Sequence, residues 1–217
     1  MTPVQIKICG VTNVKDAAAC AELGANMIGF NFYPQSPRYI EPKVARRIID
    51  AIRSGVCAVG VFVDASAAEI RNIAGAAGVP CIQIHGRTPP DTCSELAREF
   101  RVIRAFSTNP QFRPQEVSLF DDCDVLVDAH HPNLHGGTGL TCDWRAARTV
   151  GTFARFLILS GGLTKQNVSQ AITTVAPHAV DVCSGVESAP GVKDHRAVEN
   201  FVTAVRTAKS SMNSFGS

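Results

Sequence analysis

The sequence lacks a strong excess of charge and any long hydrophobic run. Its 217 residues contain 21 Lys and Arg against 19 Asp and Glu, without a block of basic residues. A chain with this balance is not expected to bind nucleic acid or an anionic membrane surface as its main partner. No apolar run reaches the ~18 residues that are needed to cross a bilayer. We therefore predict neither a nucleic-acid-binding protein nor a membrane protein.

Cysteine pairs of the CxxC type are also missing, although the chain contains eight cysteines. The N-terminal sequence "MTPVQIKICG" enters strand-like sequence at once and leaves no room for a signal peptide. Disulfides are rare in proteins that stay in the cytosol. We expect a cytoplasmic protein with reduced thiols, most of which are small buried hydrophobes. The cysteines lie at positions 9, 20, 57, 81, 93, 123, 142 and 183.

Apolar, β-branched runs alternate with segments of helical spacing along the chain. Pro42 at the start of one such segment and Gly55 just after it are typical helix boundaries. Residues 107–121, with two prolines, predict only a short or irregular helix. The eight runs that predict strands cover residues 4–10, 25–32, 56–63, 79–86, 101–106, 124–129, 153–162 and 179–185.

Eight strands that alternate with helices predict an α/β protein with a parallel sheet. Eight units favour a single closed (β/α)8 TIM barrel, in a compact version because ~250 residues are typical of that fold. An open doubly wound sheet is the alternative, but that fold usually needs fewer strands. We assign residues 1–208 to the barrel. Residues 209–217 have no pattern, which predicts a frayed C-terminal tail.

The active site of such a barrel lies at the carboxyl ends of its strands. Side chains alternate along a strand, so Lys7 and Cys9 share one face of the first strand and the apolar residues share the other. The apolar face should contact the helices, which directs Cys9 into the barrel mouth. Asp128 ends the sixth strand. His85 in the fourth strand and Asp181 in the eighth are further mouth candidates.

Strands seven and eight end in the small-residue sequences "SGG" and "CSG". Such endings leave backbone N–H groups free to converge on an anion, and barrels often bind a substrate phosphate at this place. Gly161, Gly162 and Gly185 could also serve only as tight turns. The presence of both endings on these two strands favours a phosphate site.

Two further features suggest binding residues. Two prolines close to Arg38 restrict the backbone that carries it. A restricted backbone suits a guanidinium that binds a planar carboxylate. An ordinary surface arginine is the alternative. A possible metal site is formed by His130, His131 and His135. Their spacing does not direct three imidazoles to one point, so we predict a loop without metal.

Taken together, these residues resemble the phosphoribosylanthranilate isomerase family, an aldose–ketose isomerase family of tryptophan biosynthesis. The matches run along nearly the whole chain in family order. The resemblance implies a TIM-barrel enzyme that carries out an Amadori rearrangement of a phosphosugar without metal or organic cofactor. The matching stretches are "IKICGVT" (6–12), "GFNFYPQSPRYI" (29–40), "VGVFVD" (59–64), "IQIHG" (82–86), "LVDA" (126–129), "GGTGLTCDW" (136–144), "LSGGL" (159–163), "DVCSGVES" (181–188) and "PGVKD" (190–194).

The resemblance also implies roles for single residues. Cys9 matches the general base, Asp128 the general acid, and Arg38 the arginine that holds the anthranilate carboxylate. The chain departs from the family at Cys183, where Ser is usual, and at Cys142, where Phe is usual. The phosphate-binding loops match at Gly161, Gly162, Ser184 and Gly185.

Two other functions stay open at this point. A related phosphosugar isomerase of histidine synthesis would use paired aspartates on strands one and five, and Cys9 on strand one argues against it. A phosphate-binding barrel without catalysis would tolerate loss of Cys9 or Asp128, and both are present. The sequence does not distinguish a monomer from a homodimer.

Overall fold

The computed structural model describes residues 3–52, 55–108, 112–128 and 144–214, with side chains up to residue 208. Eight parallel strands form a closed barrel in which each strand pairs with the next and the eighth pairs with the first. This confirms the predicted (β/α)8 barrel and excludes the open sheet. The strands are β1 (Gln5–Ile8), β2 (Met27–Asn31), β3 (Cys57–Val63), β4 (Cys81–His85), β5 (Arg101–Ser107), β6 (Asp124–Asp128), β7 (Leu157–Ser160) and β8 (Ala179–Val182).

Helices follow the strands, and their ends agree with local sequence signals. The Asn13 side chain accepts a hydrogen bond from the Asp16 backbone N–H and so caps the first helix. Between β5 and β6 a 3-10 helix (Pro114–Phe120) confirms the short element predicted there. The helices are α1 (Val14–Leu23), α2 (Pro42–Ala51), α3 (Ala67–Ala77), α4 (Pro90–Ala97), α5 (Trp144–Val150), α6 (Val168–Val175) and α7 (His195–Ser214).

The chain after β8 is more elaborate than expected. A single 3-10 turn (Ser184–Val186) is followed by a small antiparallel hairpin of β9 (Glu187–Ala189) and β10 (Val192–Lys193). Helix α7 then begins and continues to Ser214, beyond the boundary that we predicted at residue 208. A frayed tail over 209–217 stays a prediction.

The alternation of side chains in the strands sorts the residues into two layers. Ile6 and Ile8 belong to the large core between barrel and helices, as the spacing in β1 predicted. Lys7 lies between them in sequence but is buried inside the barrel beside Asp181. The barrel interior is otherwise filled by an apolar cluster of Met27, Val59, Cys81, Ile103, Ala105, Leu126, Ile158 and Ala179. Polar side chains at the carboxyl ends of the strands lie beyond this apolar cluster, at the barrel mouth.

Candidate active site

Cys9 lies at the mouth, directly after β1. Its backbone N–H donates to the Val182 carbonyl at 2.9 Å, so the pairing of β1 with β8 extends to this residue. Gly29 on β2 leaves space for the thiol, because a Cβ at position 29 would lie 2.8 Å from Cys9 Sγ and 3.2 Å from Lys7 Nζ. The resemblance covered Gly29 but assigned it no role. Its function is to let strand β2 approach the thiol and the ammonium group.

Lys7 and Asp181 form an ion pair at the base of this site. Lys7 Nζ is 2.9 Å from Asp181 Oδ1, and the lysine side chain is fully buried. Ser160 donates a hydrogen bond to Asp181 Oδ2 at 3.2 Å. Burial alone would lower the pKa of Lys7, but the Asp181 carboxylate and the Cys9 sulfur outweigh it and raise the pKa. The ammonium group therefore stays charged next to Cys9.

The surroundings of Cys9 favour its thiolate. A hydrogen bond with the Cys183 thiol lowers the pKa of Cys9, burial opposes this effect, and the positive charges of Lys7 and Lys193 lower it further. The resulting pKa is about 6. The thiolate is thus the main form at neutral pH, and it is lost as the pH falls below this value.

Replacing both Lys7 by Met and Asp181 by Asn is expected to raise the pH at which Cys9 becomes reactive. The double change removes the nearest positive charge without leaving an unpaired buried carboxylate. Lys7 lowers the pKa of Cys9 and Asp181 raises it, but the effect of Lys7 is the larger, so the net result should be a rise of the midpoint. The measurement is the rate of iodoacetamide alkylation of the Cys9 peptide against pH, followed by mass spectrometry. Arg46→Met on the exposed face of α2 is the control. A midpoint that is unchanged or lower in the double variant would contradict the larger influence of Lys7 relative to Asp181 on the pKa of Cys9.

Asp128 is the last residue of β6. Around the closed barrel, β7 and β8 lie between β6 and β1. In register Asp128 pairs with Ser160 of β7 and Ser107 of β5. Its half-buried side chain lines a cavity of about 230 Å³ together with Ser160 and Asp181. The same cavity is lined by all four predicted phosphate residues, Gly161, Gly162, Ser184 and Gly185. The structure thus brings the predicted acid and the predicted phosphate loops to one site.

The two glycine-containing loops depend on their glycines for backbone conformation and close approach. Gly161 and Gly162 have φ of 101° and 61°, which side chains other than glycine rarely adopt. A Cβ at Gly185 would collide with the Leu163 carbonyl oxygen, so this glycine permits the loop after β8 to contact the loop after β7. Turns of this kind present backbone N–H groups to a common point, where they can bind a phosphate.

Arg38 is held by a residue that the sequence analysis did not identify. Its Nε and Nη2 atoms donate to Glu187 Oε1 and Oε2 at 2.9 and 2.7 Å. Burial of Glu187 would raise the pKa of its carboxyl, but the hydrogen bonds from Arg38 and Lys193 outweigh it and lower the pKa to about 2. Glu187 is therefore a carboxylate that fixes the orientation of the Arg38 guanidinium.

Lys193 on β10 connects this ion pair to the thiols. Its Nζ donates to the Cys9 carbonyl at 2.5 Å and to Glu187 Oε1 at 2.8 Å, and it lies 3.9 Å from Cys183 Sγ. The side chain is buried. The "GVES" and "PGVKD" stretches were the available signal for Glu187 and Lys193. Their contacts depend on the hairpin after β8, which the sequence analysis did not predict.

His85 lies half-buried at the end of β4, with its Nε2 2.7 Å from Gln83 Nε2. Burial and the charge of Lys7 lower its pKa, while the carboxylates of Asp128 and Asp181 oppose this effect. Because its pKa is lowered, the imidazole of His85 at the mouth favours its neutral form. It adjoins a second cavity of about 490 Å³ between the ends of β4 and β5.

The histidine cluster of the sequence analysis, His130, His131 and His135, lies outside the described residues, as does Cys142. Within the described ranges, no group of three or more His, Cys, Asp or Glu residues is arranged to hold a metal ion. None of the helices in these ranges combines the length and apolar composition of a membrane-spanning segment.

Comparison with known proteins agrees with this geometry. Residues 6–204 match the family model for N-(5'-phosphoribosyl)anthranilate (PRA) isomerase. The enzyme of that name from Trichlorobacter lovleyi is 39% identical over 94% of this chain and 99% of its own. The one from Thermotoga maritima is 40% identical over 92% and 97%.

Solved structures give the same result. A crystal structure of phosphoribosyl anthranilate isomerase from Thermotoga maritima has a TM-score of 0.87 and 39% identity, covering 94% of this chain and 99% of that one. Another structure of such an isomerase, with a TM-score of 0.84 and 37% identity over 94% and 99%, is a complex with reduced 1-(o-carboxyphenylamino)-1-deoxyribulose 5-phosphate. This chain belongs to the N-(5'-phosphoribosyl)anthranilate isomerase family of enzymes.

Proposed function

We propose that this chain converts N-(5-phosphoribosyl)anthranilate into 1-(2-carboxyphenylamino)-1-deoxyribulose 5-phosphate, an Amadori rearrangement in tryptophan biosynthesis. The observation that supports this most strongly is the shared cavity at the barrel mouth. Asp128 and two glycine-containing loops line it, and so does Cys183, whose thiol lowers the pKa of Cys9. An acid, a base and an anion site are the groups that this rearrangement of a phosphosugar needs.

The reaction proceeds by two proton transfers. Asp128 in its protonated form gives its proton to the ribose ring oxygen, and the nitrogen lone pair opens the ring to a protonated imine. The Cys9 thiolate then takes the proton from C2, which leaves an enolamine. The enolamine tautomerises to the ketone by gaining a proton at C1 and losing the proton of the C2 hydroxyl. The thiolate required for the second transfer is the form that Lys7 and Lys193 stabilise.

The two ends of the substrate bind to different parts of the mouth. The loops at Gly161, Gly162, Ser184 and Gly185 bind the phosphate through backbone N–H groups. Arg38 binds the anthranilate carboxylate. Because Glu187 engages its Nε and Nη2 edge, the neighbouring Nη1 edge is the one directed to the substrate. These two anchors hold the sugar between Cys9 and Asp128.

Arg38→Ala is expected to weaken substrate binding rather than stop the chemistry. Loss of a charge-assisted hydrogen bond costs about 1.5–3 kcal/mol, or about 10- to 100-fold in affinity. KM for N-(5-phosphoribosyl)anthranilate should therefore rise by that factor, with a smaller change in kcat. Arg46→Ala, on the exposed face of α2, is the control. A KM within about twofold of the original would make Arg38 a surface residue without a role in binding.

The experiment that tests the function follows the fluorescence of N-(5-phosphoribosyl)anthranilate, generated from anthranilate and phosphoribosyl diphosphate by an excess of the transferase. The proposal predicts that the purified chain removes the substrate and forms the deoxyribulose isomer without added cofactor. A related isomerase of histidine synthesis would leave this substrate intact and isomerise its own. A non-catalytic phosphate-binding barrel would change neither.

We further propose a cytoplasmic location, with a phosphosugar as the small-molecule partner and with no nucleic acid or membrane partner. The seven described cysteines are all free thiols, which supports a reducing compartment. One related structure is of monomers generated from the dimeric enzyme of Thermotoga maritima. This chain acts as a monomer or a homodimer, and sedimentation equilibrium distinguishes the two.

A further inference from the structure

Cys183 is a departure from the family, which usually has Ser at this position, and it lies beside the proposed base. Lys7 of β1 and Asp181 of β8 are paired in register and touch inside the barrel. Two residues further along each strand, on the same face, come Cys9 and Cys183. Neighbouring strands lie about 4.8 Å apart, and a disulfide spans Cα atoms about 4.4–6.8 Å apart. The backbone positions therefore suit a bond between these two sulfurs.

The side chains confirm the proximity. The interaction of the two thiols lowers the pKa of Cys9 and raises that of Cys183. Cys183 Sγ lies close to the β1 end, since a Cβ at Gly10 would be 3.0 Å from it. Both cysteines are half-buried at the mouth, where small molecules enter. Because Cys9 is the more acidic of the two, it is the sulfur that reacts first with an oxidant.

We propose that Cys9 and Cys183 form an oxidation site, at which hydrogen peroxide or a related peroxide converts the two thiols into a disulfide and reversibly stops catalysis. The Cys9 thiolate attacks a peroxide oxygen, which breaks the O–O bond and gives a sulfenic acid and hydroxide. Cys183 sulfur then attacks the sulfenic sulfur, the S–S bond forms, and the hydroxyl leaves as water. In sum, two thiols lose two electrons and two protons, and one peroxide becomes two waters.

The surroundings of Cys183 assist the second step. Its thiol donates to Glu187 Oε1 at 3.7 Å, so a carboxylate is positioned at the proton that must leave. Lys193 Nζ, 3.9 Å from the same sulfur, lowers the pKa of this thiol, against burial and the Glu187 charge, which raise it. The loss of activity rests on the proposed function of Cys9 as base, because the disulfide occupies its sulfur. The bond itself does not depend on that function.

Two other pairs of thiols that shift each other's pKa serve as internal comparisons. Cys57 and Cys81 lie at the starts of β3 and β4, at the opposite end of the barrel from the mouth. Cys93 and Cys123 are fully buried outside the barrel. Neither pair is close to the carboxyl ends of the strands. Oxidation of either should leave the isomerase activity unchanged.

The test treats the full chain with hydrogen peroxide, maps disulfides by mass spectrometry without reduction, and measures activity before and after dithiothreitol. We expect a peptide that links Cys9 to Cys183, nearly complete loss of activity, and recovery with dithiothreitol. In Cys183→Ser, compared with its own untreated form, the link is impossible and Cys9 passes to sulfinic acid, so dithiothreitol should not restore activity. Cys57→Ser should behave as the original chain.

Absence of the linked peptide would overturn the proposal, as would equal recovery in Cys183→Ser and the original chain. A chain without isomerase activity would refute the proposed function alone. The peptide map would still test the disulfide between Cys9 and Cys183. A linked peptide in a fully active enzyme would support the disulfide, overturn the proposed loss of catalysis and contradict the role of Cys9 as base.

Discussion

Asp128→Asn is expected to lower kcat by about 10²–10⁴-fold, the usual contribution of a general acid. Asparagine keeps the size of aspartate but has no proton to give to the ribose ring oxygen, so the ring does not open. The phosphate and the carboxylate of the ligand bind to other residues. Affinity for the reduced product analogue should therefore stay within about tenfold of the original. Steady-state kinetics and a binding titration measure the two effects.

The control for this change is Asp50→Asn, on the exposed face of α2. It removes a carboxylate from the same protein far from the mouth and should leave kcat unchanged. A near-normal kcat in Asp128→Asn would remove Asp128 from the role of acid. A loss of product binding equal to the loss of kcat would instead make it a binding residue.

Cys9→Ser is expected to lose most of its activity, also by about 10²–10⁴-fold in kcat. The two side chains have similar size, so the mouth keeps its shape, but a hydroxyl retains its proton at neutral pH where the Cys9 thiol, with a pKa of about 6, has lost it. The original enzyme should gain kcat/KM as the pH rises through about 6, because the base becomes deprotonated. The measurement is the pH profile of both proteins.

Cys57→Ser is the matched control, since it removes a thiol at the other end of the barrel. It should show the kcat and the pH profile of the original. Alkylation with iodoacetamide gives a second check, with the modified residue identified by peptide mass mapping. An enzyme that is fully alkylated at Cys9 and still active would refute the assignment of the base.

The fold and the positions of the main candidate site residues could be predicted because their signals are local. The spacing of Ile6, Lys7 and Cys9 in one short strand was enough to assign their faces, and the structure confirms the inward position of Lys7. The glycines after β7 and the position of Asp128 at the end of β6 follow from the same pattern. A barrel brings all strand ends to one rim, so local strand ends also predict a shared site.

The partners of these residues could not be predicted because they are distant in sequence. Arg38 and Glu187 are separated by 149 positions, and Lys7 and Asp181 by 174. Register between β1 and β8 decides the second contact, and the hairpin after β8 decides the first. Periodicity within one segment carries no information about either. The contact of Cys9 with Cys183 is of the same kind.

The central claim, isomerisation by proton transfer, is tested most directly by running the reaction in D2O and recording the proton NMR spectrum of the product. In the proposed route the C2 hydrogen passes to the Cys9 sulfur and exchanges with solvent, and C1 gains its new hydrogen from solvent. The product should therefore be the deoxyribulose isomer with one deuteron in its C1 methylene group. A product that retains both C1 protons would contradict this account, because the hydrogen would then have passed from C2 to C1 without exchange with solvent, as in a direct hydride shift.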